Sequence, residues 1–137
     1  MNLDIRMHDD YVATLADWVA MLSISTRLMF ENVRERAIKE ITAGLDKVEA
    51  FELIRLAIKF DVEQWLKPAY RRIVARKELI TRAQSAKIPA HMATMLTRSR
   101  EQYWRYQNNG YGQGNPDAVI EEEIRVMAAE SAETADE

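Results

Sequence analysis

Leu22–Ile41 (LSISTRLMFENVRERAIKEI) and Ile54–Ile73 (IRLAIKFDVEQWLKPAYRRI) superimpose when the sequence is shifted by 32 residues. Leu22 falls on Ile54, Ile24 on Leu56, Ser25 on Ala57, Arg27 on Lys59 and Leu28 on Phe60. Further along, Phe30 falls on Val62, Val33 on Trp65, Ala37 on Ala69 and Ile41 on Ile73. Core positions meet core positions and basic meets basic. A period in the low thirties is what stacked helical hairpins produce. Two units are fewer than a free solenoid needs, so two further helices are expected to close the stack.

Apolar positions around this pair recur at helical spacing, and no stretch alternates as a strand does. Thr14 followed by Asp17 reads as a capped start of a helix over 14–28, carrying Leu15, Trp18 and Leu22. A second helix carries Phe30, Val33, Ala37 and Ile41 on one stripe and stops at Gly44. Asp46 with Glu49 forms a capping-box pattern that opens a third through Ile54, Ile58 and Phe60. Asp61 then caps a fourth with Trp65, Ala69 and Ile73. Pro68 either kinks that helix or sits in its first turn, with Val62–Leu66 as a separate turn before it. Thr81 with Gln84 opens a short helix, and Pro89 starts a longer one through Met92, Met95, Leu96 and Tyr103. Asn115-Pro116-Asp117 begins the last, with Ile120, Ile124 and Met127. The expected class is all-α: stacked helical hairpins, capping helices and an acidic C-terminal helix. The expected core is Trp18, Leu22, Leu28, Phe30, Val33, Ala37, Ile41, Ile54, Ile58, Phe60, Trp65, Ala69 and Ile73. Residues 1–107 form the hairpin domain, 108–116 a flexible Gly/Asn loop, and 117–137 an acidic helix and tail.

Composition narrows the function classes. With 47% apolar residues, the 137-residue chain has material for one core. It has no Cys, hence no disulfide framework, thiolate nucleophile or Cys-ligated zinc. Asp4, Asp9 and Asp10 at the start do not suit a signal peptide. No apolar run approaches the roughly 20 residues of a membrane-spanning helix. An intracellular location, cytoplasm or nucleus, is expected, with no membrane contact. The net charge of −3 is unevenly laid out. Residues 67–105 hold 10 Lys/Arg against 2 Asp/Glu, net +8, and residues 117–137 hold 1 against 8, net −7.

The run from Trp18 to Thr26, the run from Phe30 to Ile38, the segment Leu56–Tyr70 and Arg98-Ser-Arg-Glu101 together resemble the helical region that follows the BTB/POZ domain in many fungal proteins. The resemblance covers about residues 14–101 and rests on core positions recurring in order. It implies a BACK-like helical module whose relatives act in protein–protein contacts, some as substrate adaptors for cullin ubiquitin ligases. The BTB fold that precedes this region in those relatives carries dimerisation and any cullin contact. It has no counterpart in these 137 residues, so cullin contact is not expected of this chain alone.

No catalytic constellation stands out, no cofactor is implied, and the chain is expected not to be an enzyme. His8-Asp9-Asp10 lacks further ligands at metal spacing. His91 has no Ser or carboxylate at a matching helical offset. Gly110, Gly112 and Gly114 follow a helix rather than the strand a phosphate loop requires. Glu121, Glu122 and Glu123 spread around a helix instead of converging. The candidate interaction surface is Arg98, Arg100, Tyr103, Trp104, Arg105 and Tyr106, where aromatics beside arginine suit a protein hot spot or a stack of bases. The same aromatics would also cover the end of a bundle. The leading expectation is a non-enzymatic adaptor or scaffold that binds a protein partner, with self-association, or docking of the N-terminal segment, on the bare side of the first helix (Val12, Leu15, Val19, Met21). The alternative is a nucleic-acid- or polyanion-binding domain using residues 67–105, against which the acidic chain as a whole argues. The acidic helix is expected to pack on the basic middle and to mask Arg98, Arg100 and Arg105.

Overall fold

The computed structural model describes residues 13–110 and 114–135, and among them the chain is all-helical with no strand. The helices are α1 (Leu15–Leu28), α2 (Glu31–Ala43), α3 (Ala50–Phe60), α4 (Leu66–Ala75), α5 (Arg82–Ser85), α6 (Ala90–Asn108) and α7 (Pro116–Ala135). The chain forms two compact units, Met1–Lys47 with α1 and α2, and Val48–Glu137 with α3 to α7. The division therefore falls after Lys47, not at the Gly/Asn loop, because α7 has burial and ion pairs of its own on α4 and α6.

In the first unit Thr14 caps α1 as its spacing with Asp17 suggests. The Asp17 amide donates to Thr14 Oγ1 at 3.2 Å, and the Thr14 amide donates to Asp17 Oδ2 at 2.9 Å. α1 and α2 pack as a hairpin around Leu22, Ser25, Ala37 and Ile41, all buried. Ser25 is tolerated there because its hydroxyl donates to the Leu22 carbonyl at 3.1 Å. Trp18 is half-buried, with the Arg36 guanidinium 5.7 Å above its ring. Residues 1–12, including Val12 and His8, lie outside the described residues.

The second unit is built on α4, which packs against α3, α6 and α7. Trp65, Phe51, Leu53, Ile54, Ile73, Val74, Leu96 and Ile120 fill its core. Glu49, not Asp46, is the N-cap of α3. Its carboxylate accepts from the Phe51 and Glu52 amides at 3.0 Å each, whereas Asp46 sits in a short 3-10 turn, Leu45–Lys47. Asp61 likewise ends α3 in the left-handed region instead of capping α4. A 3-10 turn, Glu63–Trp65, leads into α4, and Pro68 sits in the first turn of that helix, where its missing N–H costs no bond.

The 32-residue correspondence has a geometric counterpart in the turns. Met29 (φ 60) and Asp61 (φ 57) are the non-glycine residues with positive φ among those described, and they are 32 positions apart. The Phe30 amide donates to the Ser25 carbonyl at 2.8 Å, and the Val62 amide to the Ala57 carbonyl at 2.9 Å. Each is the long bond that closes a helix through a left-handed residue. A left-handed side chain other than Gly carries a steric cost, so its recurrence marks the same device used twice.

Burial follows the correspondence only partly. Leu28, Phe30, Val33 and Ile58, expected in the core, are 52%, 54%, 38% and 45% exposed. Leu28 and Phe30 flank the left-handed Met29, at the turn where the hairpin ends. Val33, one turn before the buried Ala37, is exposed beside the same turn. Ile58 shares a face of α3 with Phe51 two turns away. The Arg76 guanidinium covers the Phe51 ring at 5.4 Å.

These positions separate cleanly in a stability experiment. Chemical denaturation should show Trp65→Ala costing about 3–5 kcal/mol, as aromatic truncation in a core does. Ile58→Ala should cost less than about 1 kcal/mol.

Candidate functional site: the carboxyl end of α4

Helix α4 stops at Ala75 and leaves carbonyls without helical partners. Arg100, on α6, supplies them. Its Nη1 donates to the Ile73 carbonyl at 2.6 Å, to that of Arg76 at 2.6 Å and more weakly to Val74 at 3.5 Å. Its Nη2 donates to the Lys77 carbonyl at 3.2 Å. Trp104, one turn further along α6, donates its indole N–H to the Val74 carbonyl at 3.1 Å. Arg100 is only 6% exposed. Burial, with Arg76 nearby and Glu78 opposing, lowers its pKa. The negative end of the α4 dipole is the compensating charge.

Arg76 continues the arrangement into the following loop. Its Nε donates to the Glu78 carbonyl at 3.1 Å, and its Nη2 to the Leu79 carbonyl and the Gln84 side chain at 3.2 and 2.8 Å. Gln84 closes the capping box with Thr81 that the sequence suggested. This loop and α6 border a cleft of about 650 Å³. Leu79, Ile80 and Trp104 are its apolar lining, with Lys77, Thr97, Arg100 and Glu101 among the polar side chains.

The six residues expected to form one interaction surface are distributed around α6 instead. Arg100 is a correction, since it is buried and caps α4. Trp104 is half-buried beside it and lines the cleft. Tyr103 meets Trp104 edge-on at 5.4 Å between ring centroids and lies beneath Gly114, where a Cβ would come within 3.8 Å of its ring. Arg98 pairs with Glu130 at 3.2 Å, Arg105 pairs with Glu101 at 2.8 Å, and Tyr106 is exposed.

Helix α7 packs along α6 and α4, and its carboxylates pair with three cations of the basic segment. Lys67 pairs with Glu121 at 2.7 Å, and Arg71 holds Asp117 with two bonds of 2.8 and 3.0 Å. Ile120 is buried beneath them. The acidic helix thus masks Lys67, Arg71 and Arg98; Arg100 and Arg105 are engaged elsewhere. Arg72 also turns inward, donating to the Val48 carbonyl at 2.7 Å. The three successive glutamates diverge, Glu121 to Lys67, Glu122 to Arg125 and Glu123 to a buried position. His91 is exposed at the start of α6. Among the described residues no group of three or more His, Asp or Glu is placed to hold a metal ion, and no helix is long and apolar enough to cross a membrane.

Apart from the α4 cap, the feature that sequence patterning missed is the bare apolar end of the first hairpin. Met21, Ile24 and Leu28 run along one side of α1, and Met29 (82% exposed), Phe30 and Val33 continue it around the turn. Leu15 is exposed as expected and Val19 is half-buried. The signal was available, since the apolar arc of α1 is wider than one partner helix can cover.

The fold therefore defines an all-α protein of two helical units with a cleft at the carboxyl end of α4. Comparison of the chain with protein-family models, curated proteins and solved structures finds no match.

Two consequences follow for the second unit. Arg100→Leu leaves buried carbonyls without donors and should cost about 2–4 kcal/mol in chemical denaturation, with Arg100→Lys recovering only part. The hydrogen bond from Arg71, opposed by burial and helped by Lys67, holds the Asp117 carboxyl below its usual pKa. Asp117 therefore binds its proton more weakly in the fold than in the open chain. The stabilisation is complete above the ordinary aspartate range near pH 4 and is lost as pH falls through the lower, folded value. Stability measured between about pH 5 and about pH 2 should fall less steeply in Arg71→Leu than in the native chain.

Proposed function

We propose that this chain is a non-enzymatic protein–protein interaction module of the adaptor or scaffold kind, with the bare end of the α1–α2 hairpin as its contact surface. The observation that carries the reading is the run of exposed apolar side chains at Ile24, Leu28, Met29, Phe30 and Val33. Single exposed apolar residues are ordinary, but a contiguous set at the tip of a hairpin marks a surface that a partner covers. The resemblance to the helical region after fungal BTB domains supports the same class. So does the hairpin turn used twice, which suits stacked modules whose work is contact.

The polyanion-binding alternative has less behind it. Lys67, Arg71 and Arg98 face carboxylates of α7, and Arg72, Arg76 and Arg100 face backbone carbonyls. Phosphate binding draws on cations left at the surface, and these have acceptors inside the unit.

The test is affinity capture with the full chain and with the double variant Leu28→Asp, Phe30→Asp, read by quantitative mass spectrometry. Both positions are exposed, so the variant should keep its helical circular dichroism and melt within a few degrees of the native chain. Proteins retained by the native chain should fall by about tenfold or more, as loss of a hot-spot pair implies. Retention of the same proteins at the same level would remove the hairpin tip as the contact.

A further inference from the structure

We infer that the groove between α4, α6 and α7 is a binding site for a small neutral molecule, apolar over most of its surface and carrying one hydrogen-bond acceptor for the Tyr70 hydroxyl. The groove has a volume of about 330 Å³, inside the range of small-ligand sites. Met92 and Met95 of α6 form one wall, and Ile124, Met127 and Ala128 of α7 the other, with Tyr70 of α4 also lining the space. His91 and Ser131 are its remaining polar lining.

Tyr70 is the specific feature. It is 6% exposed, and its hydroxyl has no hydrogen-bond partner among the described residues. Solvent reaches the hydroxyl oxygen, so its donor is held by water until a ligand acceptor in the groove takes it over. Burial, with Glu63 adding to it, raises the Tyr70 pKa, so the proton remains on the oxygen at neutral pH.

The lining also sets the ligand's charge. No Lys, Arg, Asp or Glu borders the groove, so a charged ligand would lose its hydration with no opposite charge to meet. The thioethers suit an apolar guest of irregular outline, because Met is unbranched, polarisable and adapts its rotamers to what it touches. The methionines of the second unit, Met92, Met95 and Met127, all border this one space.

Because the ligand would touch both α6 and α7, its binding adds apolar contact to a junction bridged by Arg98–Glu130 at its far end. An exposed ion pair is weak and screened by salt, and an apolar guest is not. Occupancy would therefore hold the second half of α7 on α6.

The experiment uses the full chain with 13C-labelled methionine methyls, titrated with benzylacetone and with butylbenzene. The two molecules share nearly the same shape, and only the ketone has an acceptor. Both should shift the Met92, Met95 and Met127 methyl signals and leave those of Met21 and Met29 in place. Tyr70→Phe should weaken the ketone by about 3–10-fold, the worth of one hydrogen bond, and leave the hydrocarbon as tight or tighter. Ala128→Trp, at an exposed position on the wall, should abolish both shifts by filling the space. The inference is overturned if neither compound moves the three methyls at millimolar concentration. It is equally overturned if Tyr70→Phe affects ketone and hydrocarbon alike, or if both shifts survive Ala128→Trp.

Discussion

A guanidinium on one helix closes the carboxyl end of another, and the second unit is arranged around that contact. Arg100 reaches the carbonyls at the end of α4 with no carboxylate in the set, so its charge is met by peptide dipoles. A buried cation is costly when left without acceptors, and each bond here also satisfies a carbonyl that the end of a helix leaves orphaned. Trp104 shares the task from the next turn. With the end of α4 and residues 76 and 77 held to α6, and Arg76 bonded to the carbonyls of Glu78 and Leu79, the loop borders a cleft. One interaction thus sets the register of two helices and the shape of the space between them.

Charge in this chain is better understood as internal complementarity than as an external field. The segment of net +8 and the tail of net −7 lie within a single unit and face one another. Among the described residues none of the interhelical ion pairs is buried, and surface pairs contribute little individually. Ile120 buries α7 against the unit, and the ion pairs lie at the surface beside it. This explains why α7 is firmly anchored along its first turns and borders an open groove further on, where Ile124 is exposed.

Periodic features were legible in the sequence and features made by tertiary contact were not. The helix class and the caps at Thr14 and Thr81 follow from local spacing, and the 32-residue match returns in the left-handed turns at Met29 and Asp61. Spacing also placed Leu22, Ala37, Ile41, Ile54, Trp65, Ala69 and Ile73 correctly in the core. It failed at Leu28, Phe30, Val33 and Ile58, because a helical stripe says which side is apolar but not how far along it a neighbour extends. For Arg100 the failure is different in kind. An arginine one turn before Tyr103 and Trp104 looks like a surface contact, and only the three-dimensional meeting of α6 with the end of α4 makes it a cap. The carboxylates that mask Lys67 and Arg71 were visible as a charge asymmetry, though not as pairs.

The two hairpins share a turn but not a degree of self-sufficiency. Where the second has Ala57 and Trp65, the first has Ser25 and Val33, and the Thr26 hydroxyl is buried without a partner where the second has Ile58. The first hairpin's buried set is Leu22, Ser25, Ala37 and Ile41, against a core in the second unit that includes Trp65, Phe51 and Phe60. Small units close their cores poorly because too little of their surface can be removed from water. The first unit retains apolar side chains at the surface and places few inside. The same residues that would stabilise it if covered are those presented at the hairpin tip. Contact with a partner would therefore supply the burial that the hairpin's own sequence leaves incomplete, and this ties the weaker of the two cores to the proposed function.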